Sequence, residues 1–260
     1  FDMDPTTYSN DATPYVLFTI FIVIVICIVQ KTLKSLRKQQ HWCAFEESKR
    51  VLLFTAHPDD ECMFFGPTIS CLLKKSCKLF LICFTTGNFR GNGNKRSKEL
   101  YKSCEILGIN KNNIMIYNCS GFPDNPGKSW NLKLLRKILS QYTEALEIDT
   151  LITFDSYGIS GHANHISLYE CSEHIQEKGL ISEKCKIYHL QSVNIFRKYI
   201  GIFDKIFMDI NHNFSCSTNA MDRKIIRKAL AAHESQYVWF RKLFILFSRY
   251  IFINTYIRER

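Results

Sequence analysis

The sequence has little of what marks disordered or repetitive chains. Only 6 of its 260 residues are proline, and no internal repeat or low-complexity tract is evident. With 46% hydrophobic and 22% charged residues, the composition is that of a globular protein and leaves little room for long disorder. The length suits one sizeable core, so we expect a single domain with an added anchor.

Paired cysteines are also lacking. The 11 cysteines include no CxxC pair, and an odd, unpatterned set argues against a disulfide framework. Several have mostly apolar neighbours, as at Cys27, Cys71, Cys83 and Cys119. We interpret them as small buried hydrophobic residues in a reducing compartment, which places most of the chain in the cytosol.

Acidic residues are outnumbered, and 34 Lys and Arg against 24 Asp and Glu give a net charge of +10. Such a charge suits an anionic partner: nucleic acid, a phosphorylated metabolite or an anionic membrane. The sequence has no RNP-like aromatic motif, zinc-finger spacing or basic heptad region. We therefore expect no nucleic-acid partner.

One long apolar run, Val16–Val29, is interrupted only by Thr19. A strand is not normally so long, and a core helix of this composition would need burial on every side. A cleaved signal peptide is disfavoured because no basic residue precedes the run and no small-residue cleavage site follows it. With Tyr15 and Leu33 as extensions, the run predicts one transmembrane helix.

The charges on either side of this run differ in sign, and basic flanks stay cytosolic. The N-terminus is therefore predicted to lie outside the cytosol and the remainder of the chain inside it. We assign residues 1–38 to the anchor and its basic flank, and residues 39–260 to the globular domain. The flanking residues are Asp2, Asp4 and Asp11 before the run and Lys31, Lys34, Arg37 and Lys38 after it.

After residue 49 the pattern alternates between apolar strands and amphipathic helices. Such alternation predicts an α/β fold: a Rossmann-like, mostly parallel sheet with helices on both faces. Ligand sites in such sheets lie at the carboxyl ends of the strands. The predicted strands are 50–55, 78–84, 113–117 and 150–154, and the predicted helices are 63–73, 95–107, 132–146 and 165–177.

The segment from Tyr237 onward mixes clustered aromatic residues with basic ones such as Arg241 and Lys242. It fits a core-packing helix with a solvated face. It also fits an interfacial amphipathic segment whose aromatic and basic side chains meet lipid headgroups. We favour the interfacial interpretation.

Two polar clusters follow predicted strands. His57, Asp59, Asp60 and Glu61 come directly after the first strand, where a divalent cation would offset the cost of burying them. A solvated acidic turn or helix cap is the alternative. The second cluster, GHANH at 161–165, follows the strand 150–154 and supplies an HxxH pair. Together the clusters predict a metal site with three protein ligands and a free carboxylate as base.

The AHPDDE segment at 56–61 and the downstream GHxNH segment resemble the LmbE-like family of zinc-dependent de-N-acetylases. Within that family the chain is similar to the eukaryotic PIG-L type, which acts on N-acetylglucosaminyl-phosphatidylinositol. The resemblance covers nearly everything from Val51 to Asn254. Supporting stretches are CFTTGN, RSKELYKSCEILGI, FPDNPG, LQSVNIFRKYI and SQYVWFRKLFILFSRYIFIN.

This resemblance implies roles for individual residues. His57, Asp60 and His165 match the ligands of Zn²⁺ or another divalent metal, and Asp59 matches the general base. His162 matches the histidine that stabilises the tetrahedral oxyanion.

Arg96 is assigned to the phosphate of the substrate. Glu61 is predicted to orient His57 or Asp60, with a helix-start acid as the alternative. Asn164 is predicted to fix the His165 tautomer or to cap the helix. Asp155 is predicted to contact the site from its strand end, with a turn role as the alternative, and His233 is interpreted as a buried structural histidine.

The resemblance implies an amide hydrolase of glycosylphosphatidylinositol-anchor biosynthesis. It also implies a single-pass protein of the endoplasmic-reticulum membrane with its catalytic domain on the cytosolic side. Partner proteins stay undetermined. Two alternatives are a deacetylase of soluble N-acetylglucosaminides and a silent membrane scaffold, although an intact set of site residues argues against the scaffold.

Overall fold

The protein is built on one seven-stranded sheet with the strand order β3-β2-β1-β4-β5-β7-β6. The computed structural model describes residues 13–38, 45–125, 127–206 and 214–258. β1 to β5 run parallel, and β7 lies antiparallel to both β5 and β6. The strands are β1 Arg50–Thr55, β2 Lys78–Cys83, β3 Ile114–Ile116, β4 Thr150–Phe154, β5 Lys186–Leu190, β6 Ser215–Ser217 and β7 Ile253–Arg258.

Helices connect the parallel strands. Of the longer ones, α3 and α4 pack with α9, while α5 packs with α7, which also contacts β4 and β1. The helices are α1 Thr13–Lys38, α2 Asp60–Met63, α3 Gly66–Lys74, α4 Gly93–Leu107, α5 Leu132–Ala145, α6 Gly158–Gly161, α7 Ala163–Glu177, α8 Ile195–Tyr199, α9 Ala220–Ala232 and α10 Trp239–Phe247.

The predicted α/β fold is confirmed. The four predicted strands pair in parallel, and the central residues of β1, β2 and β4 are buried because helices cover the sheet. Chain order reverses between β1 and β4, since β2 and β3 lie beyond β1 while β5 lies beyond β4. In open sheets such a reversal opens a crevice at the carboxyl ends of the two strands.

The tail is divided between helices and a strand, and neither predicted form included the strand. Trp239–Phe247 is α-helical, Arg249–Ile251 is a 3₁₀ helix, and Ile253–Arg258 forms β7, which pairs with β5 and β6. Asn254 stabilises this strand because its side chain accepts from the Thr68 hydroxyl at 2.7 Å and donates to the Phe64 carbonyl. The C-terminal strand is therefore part of the sheet, and only α10 remains available for an interfacial role.

The apolar run forms the first part of α1. Thr13–Lys31 is long and apolar enough to cross a membrane, with a mean hydropathy of 2.4, and none of it is buried against the domain. The acidic residues at positions 2, 4 and 11 lie outside the described residues.

Most cysteines behave as predicted. Seven of the nine free cysteines in the described ranges are buried. Of the four named in the sequence analysis, Cys83 is buried as predicted. The prediction was wrong for the others, because Cys27 is exposed, Cys119 is half-buried and Cys71 is disulfide-bonded.

A buried ion group fixes the segment after β5. Asp204, in the 3₁₀ helix Gly201–Ile206, lies 2.7 Å from Nε of Arg197 on α8 and 2.7 Å from Nε of Arg249 after α10. Asp204 and Arg249 are fully buried. A buried carboxylate needs such partners, so this group ties three neighbouring elements into one rigid unit.

Candidate metal centre

The two predicted polar clusters meet at the crevice between β1 and β4. They line a cleft of about 410 Å³. The cleft receives side chains from the loops after β1, β2, β3 and β4 and from the start of α10. Those with ionisable or imidazole groups are His57, Asp59, Asp60, Arg90, Arg96, Asp124, His162, His165 and Arg241.

Three imidazoles form the centre of the site. His57, His162 and His165 each place a ring nitrogen within 4.8 Å of the others. Oδ2 of Asp60 lies 3.7 Å from Nδ1 of His57 and 3.4 Å from Nε2 of His165. Imidazole nitrogens around one carboxylate are a normal donor set for a divalent transition metal.

His165 is oriented as a metal ligand would be. Its Nδ1 lies 3.1 Å from the Gly158 carbonyl, which places the proton on Nδ1 and leaves a lone pair on Nε2. That Nε2 is buried and has no hydrogen-bond partner among the described residues. Gly158 permits this close approach, because a Cβ there would lie 2.7 Å from Cβ of His165. The residues present therefore fit a metal ion.

Asp60 is held by the backbone of its own loop. Its Oδ2 accepts hydrogen bonds from the Ala56 and His57 amides at 3.0 and 2.8 Å. Burial opposes ionisation, but positive charge at His165 and His57 holds the pKa of the Asp60 carboxyl well below its usual value. Asp60 is thus a fixed negative charge in a buried site.

His57 contacts two residues besides Asp60. Its Nε2 lies 3.2 Å from Oδ1 of Asp124 and 3.0 Å from the side-chain amide of Asn164. Burial alone would lower the pKa of His57, but Asp124 and Asp60 raise it to about 9. A positive charge is therefore favoured at this position, whether it comes from a proton or from a bound cation.

His162 differs from its neighbours. It caps α7, where its Nδ1 accepts from the Asn164 amide at 3.3 Å, so the ring proton lies on Nε2. Burial and the adjacent His57 lower the pKa of His162 to about 4. At neutral pH His162 is a neutral imidazole with one N–H to donate.

Asp59 has a left-handed backbone with φ of 109°, which is unusual for a residue other than glycine. Its Oδ2 lies 2.9 Å from Nη2 of Arg241 and 3.3 Å from Nη2 of Arg96. Arg96 also donates to the Pro58 and Gly87 carbonyls. Two arginines and the local backbone therefore orient the Asp59 carboxylate at the edge of the cleft.

A buried network supports the strained backbone of Asp59. Oε2 of Glu61 accepts the Asp59 amide at 3.0 Å, while Oε1 contacts Ser103 at 2.5 Å and Nε2 of His233 at 2.8 Å. Burial opposes ionisation of the Glu61 carboxyl, yet His233 lowers its pKa. Glu61 and His233, with Cys62, are a second group with metal-ligating atoms close together. However, burial raises the pKa of the Cys62 thiol well above its usual value, which disfavours the thiolate.

Sequence reasoning assigned no role to Asp124, and it treated Arg241 only as one basic residue of the tail. Both reach the cleft across long sequence separations. The one available signal was that Asp124 follows β3 at its carboxyl end. Asp155 has the turn role, since its carboxylate accepts from the Tyr157, Gly158 and Ser192 amides.

Known proteins resemble this chain in sequence and in fold. The profile of the PIG-L family, described as GlcNAc-PI de-N-acetylase, matches residues 52–175. The N-acetylglucosaminyl-phosphatidylinositol de-N-acetylase of Bos taurus is 41% identical over 207 residues, covering 79% of this chain and 82% of the relative. The Saccharomyces cerevisiae protein of the same name is 31% identical, covering 79% and 80%.

A solved structure supports the fold. The N,N'-diacetylchitobiose deacetylase of Pyrococcus horikoshii superposes with a TM-score of 0.60 at 16% identity, covering 89% of this chain and 91% of that one.

The ligand set predicts which substitutions remove the metal. Asp60 presents a negative charge, and His165 presents a free lone pair to the same point. Asp60→Asn and His165→Ala are therefore expected to lose stoichiometric divalent metal. His162→Ala is expected to retain it. Inductively coupled plasma mass spectrometry of the purified, dialysed variants measures how much metal each one holds. Loss of metal in His162→Ala with retention in Asp60→Asn would contradict the ligand set.

Proposed function

Because this chain belongs to the PIG-L family of GlcNAc-PI de-N-acetylases, we propose that it hydrolyses the acetamide of N-acetylglucosaminyl-phosphatidylinositol. The products are glucosaminyl-phosphatidylinositol and acetate. The observation that carries the proposal is the cleft in which His57, His162 and His165 lie together, with His57 and His165 against Asp60 and with Asp59 in the same lining. An acetamide is a poor electrophile, and its hydrolysis needs an electrophilic centre, a base and a proton donor in one place.

The ligands of the metal are proposed to be His57, Asp60 and His165, with zinc as the ion. Three protein ligands leave a position for reactants, as is normal for catalytic zinc. When bound, such an ion supplies Lewis acidity toward the carbonyl and toward water. Asn164 and the Gly158 carbonyl orient His57 and His165 respectively.

Asp59 is proposed as the general base. Its carboxylate lines the cleft beside the ligands and takes the proton of the attacking water. Arg96 and Arg241 fix its orientation, and Glu61 holds its backbone amide. A preorganised carboxylate avoids the cost of reorienting it during the reaction.

His162 is proposed to stabilise the oxyanion. Its ring is neutral, and Nε2 carries the proton because Nδ1 accepts from Asn164. A neutral N–H donor stabilises negative charge that develops on the carbonyl oxygen, typically by a few kcal/mol. The proton taken up by Asp59 is then available to the leaving amine.

The substrate's phosphate needs a cationic partner as well. Arg96 lines the cleft while it contacts Asp59, so its charge suits both the base and the phosphate, the second of which is the role that the resemblance implies. Arg90 lines the same cleft. We assign the phosphate to this side of the cleft.

The protein is further proposed to lie in the endoplasmic-reticulum membrane. The helix Thr13–Lys31 is the single span, and the domain of residues 39–260 faces the cytosol. A lipid-linked substrate requires an enzyme that stays at the membrane surface.

Acetate release from radiolabelled N-acetylglucosaminyl-phosphatidylinositol by the purified chain tests this function. Release is expected to stop with chelator and in His165→Ala. Asp59→Asn is expected to keep its metal but lose about 10²–10⁴-fold in turnover, because the base is removed. Glu105→Gln, on the exposed side of α4, is the control and should match the wild type.

Two outcomes would count against the proposal. No release by folded, metal-loaded protein would reject this substrate and direct the search to soluble N-acetylglucosaminides. An Asp59→Asn protein without metal would place Asp59 among the ligands.

The side of the membrane on which the domain lies is tested separately with intact microsomes. If the basic residues after the span stay cytosolic, added protease should digest the domain while leaving a short anchored fragment. Protection of the full domain until detergent is added would place it on the luminal side.

A further inference from the structure

One side of the domain exposes apolar side chains on three adjacent elements: α8, the 3₁₀ helix Gly201–Ile206 and α10. Soluble surfaces seldom carry so many together, and such patches mark sites of interaction with proteins or membranes. We call this set the docking face. It consists of Ile195, Phe196, Tyr199, Phe203, Trp239, Phe240, Leu243, Leu246 and Phe247, all of them exposed.

The orientation of α10 is the clearest feature of the docking face. A helix on a water-facing surface turns its apolar side inward and its polar side outward. Phe244 and Ile245 do point inward and are buried. However, Leu243, Leu246 and Phe247 point outward, and Trp239 is 72% exposed. The outer side of α10 is thus apolar without a protein partner in the described residues.

The docking face is built on rigid structure. Arg197 on α8 and the buried Arg249 after α10 both pair with Asp204 of the 3₁₀ helix, at 2.7 Å each. The three elements therefore hold one arrangement, and the exposed side chains do not lie on loose segments. This apolar surface is therefore fixed in its exposed position within the part of the chain that the structure describes.

Charge on the docking face has one sign. The α8 sequence IFRKY and the α10 sequence WFRKLFILF contain neither Asp nor Glu, and Asp204 of the 3₁₀ helix is fully buried. Arg197 pairs with Asp204 and Arg241 with Asp59, and the two helices also carry Lys198 and Lys242. Aromatic residues interleaved with basic ones suit the headgroup region of a bilayer that contains anionic lipid.

The membrane anchor and the active site both adjoin this face. The anchor helix α1 contacts the domain at the 3₁₀ helix Gly201–Ile206. At the other end, Phe240 and Arg241 of α10 line the cleft, and Arg241 reaches Asp59 at 2.9 Å. The docking face therefore extends from the anchor to the mouth of the cleft.

We propose that the docking face lies on the bilayer surface, with Trp239 and its apolar neighbours inserted among the headgroups and upper acyl chains. This arrangement places the cleft mouth at the lipid surface. A glycolipid then enters headgroup first while its acyl chains stay in the bilayer. That last step rests on the proposed function, whereas the docking itself does not depend on which lipid is hydrolysed.

Tryptophan fluorescence in vesicles tests the docking directly. The chain has 3 tryptophans, and Trp42→Phe leaves Trp130, which is 4% exposed, and Trp239. Full-length Trp42→Phe protein is reconstituted into phosphatidylcholine–phosphatidylserine vesicles, with or without bromine on the acyl chains. Brominated lipid is expected to quench part of the emission.

The matched control is Trp42→Phe/Trp239→Phe, in which Trp130 is the only emitter. Its emission is expected to be the same in brominated and plain vesicles, since Trp130 is enclosed by protein. Both substitutions keep an apolar ring, and equal far-UV circular dichroism verifies that both proteins are folded.

Two results would overturn the proposal. Unquenched emission from Trp42→Phe protein would show that Trp239 faces water or is covered by a protein, including a second copy of this chain. Equal quenching in both variants would assign the effect to Trp130. Neither fluorescence measurement depends on enzyme turnover. Failure of the docking proposal can therefore be distinguished from failure of the proposed function, which is tested by acetate release.

Discussion

The carboxylate of Asp60 joins the two halves of the site. It is anchored by two backbone amides of the β1 loop, and it faces His57 from its own loop and His165 from the start of α7. A buried carboxylate between two imidazoles is stable only with a compensating positive charge. The loops after β1 and β4 are therefore coupled through one charged group, and the proposed function assigns the compensating charge to a metal ion.

A second constraint acts on Asp59. Its backbone is strained, and a strained residue persists only where its surroundings hold it. Glu61, Ser103 and His233 hold the backbone from the interior, while Arg96 and Arg241 hold the carboxylate from the cleft. Because Arg241 lies on α10, the geometry of the proposed base depends on a helix whose outer side is proposed to contact lipid.

Much of the fold and of the site follows from local sequence. Apolar strands at regular spacing predict the parallel sheet, and the polar clusters at 57–61 and 161–165 come from adjacent strand ends. What local sequence could not predict are contacts across long separations: Asp124 with His57, His233 with Glu61 and Arg241 with Asp59. Local sequence also did not predict β7. Its strand form depends on pairing with β5 and β6, whereas its own aromatic and basic composition does not indicate a strand.

The measurement that tests the central claim most directly is X-ray absorption at the zinc K edge of the zinc-loaded protein. The account predicts nitrogen and oxygen donors at about 2.0–2.2 Å, with two imidazoles and no sulfur. A sulfur shell at about 2.3 Å would place the metal at Glu61, Cys62 and His233 instead, and would contradict the ligand set of His57, Asp60 and His165.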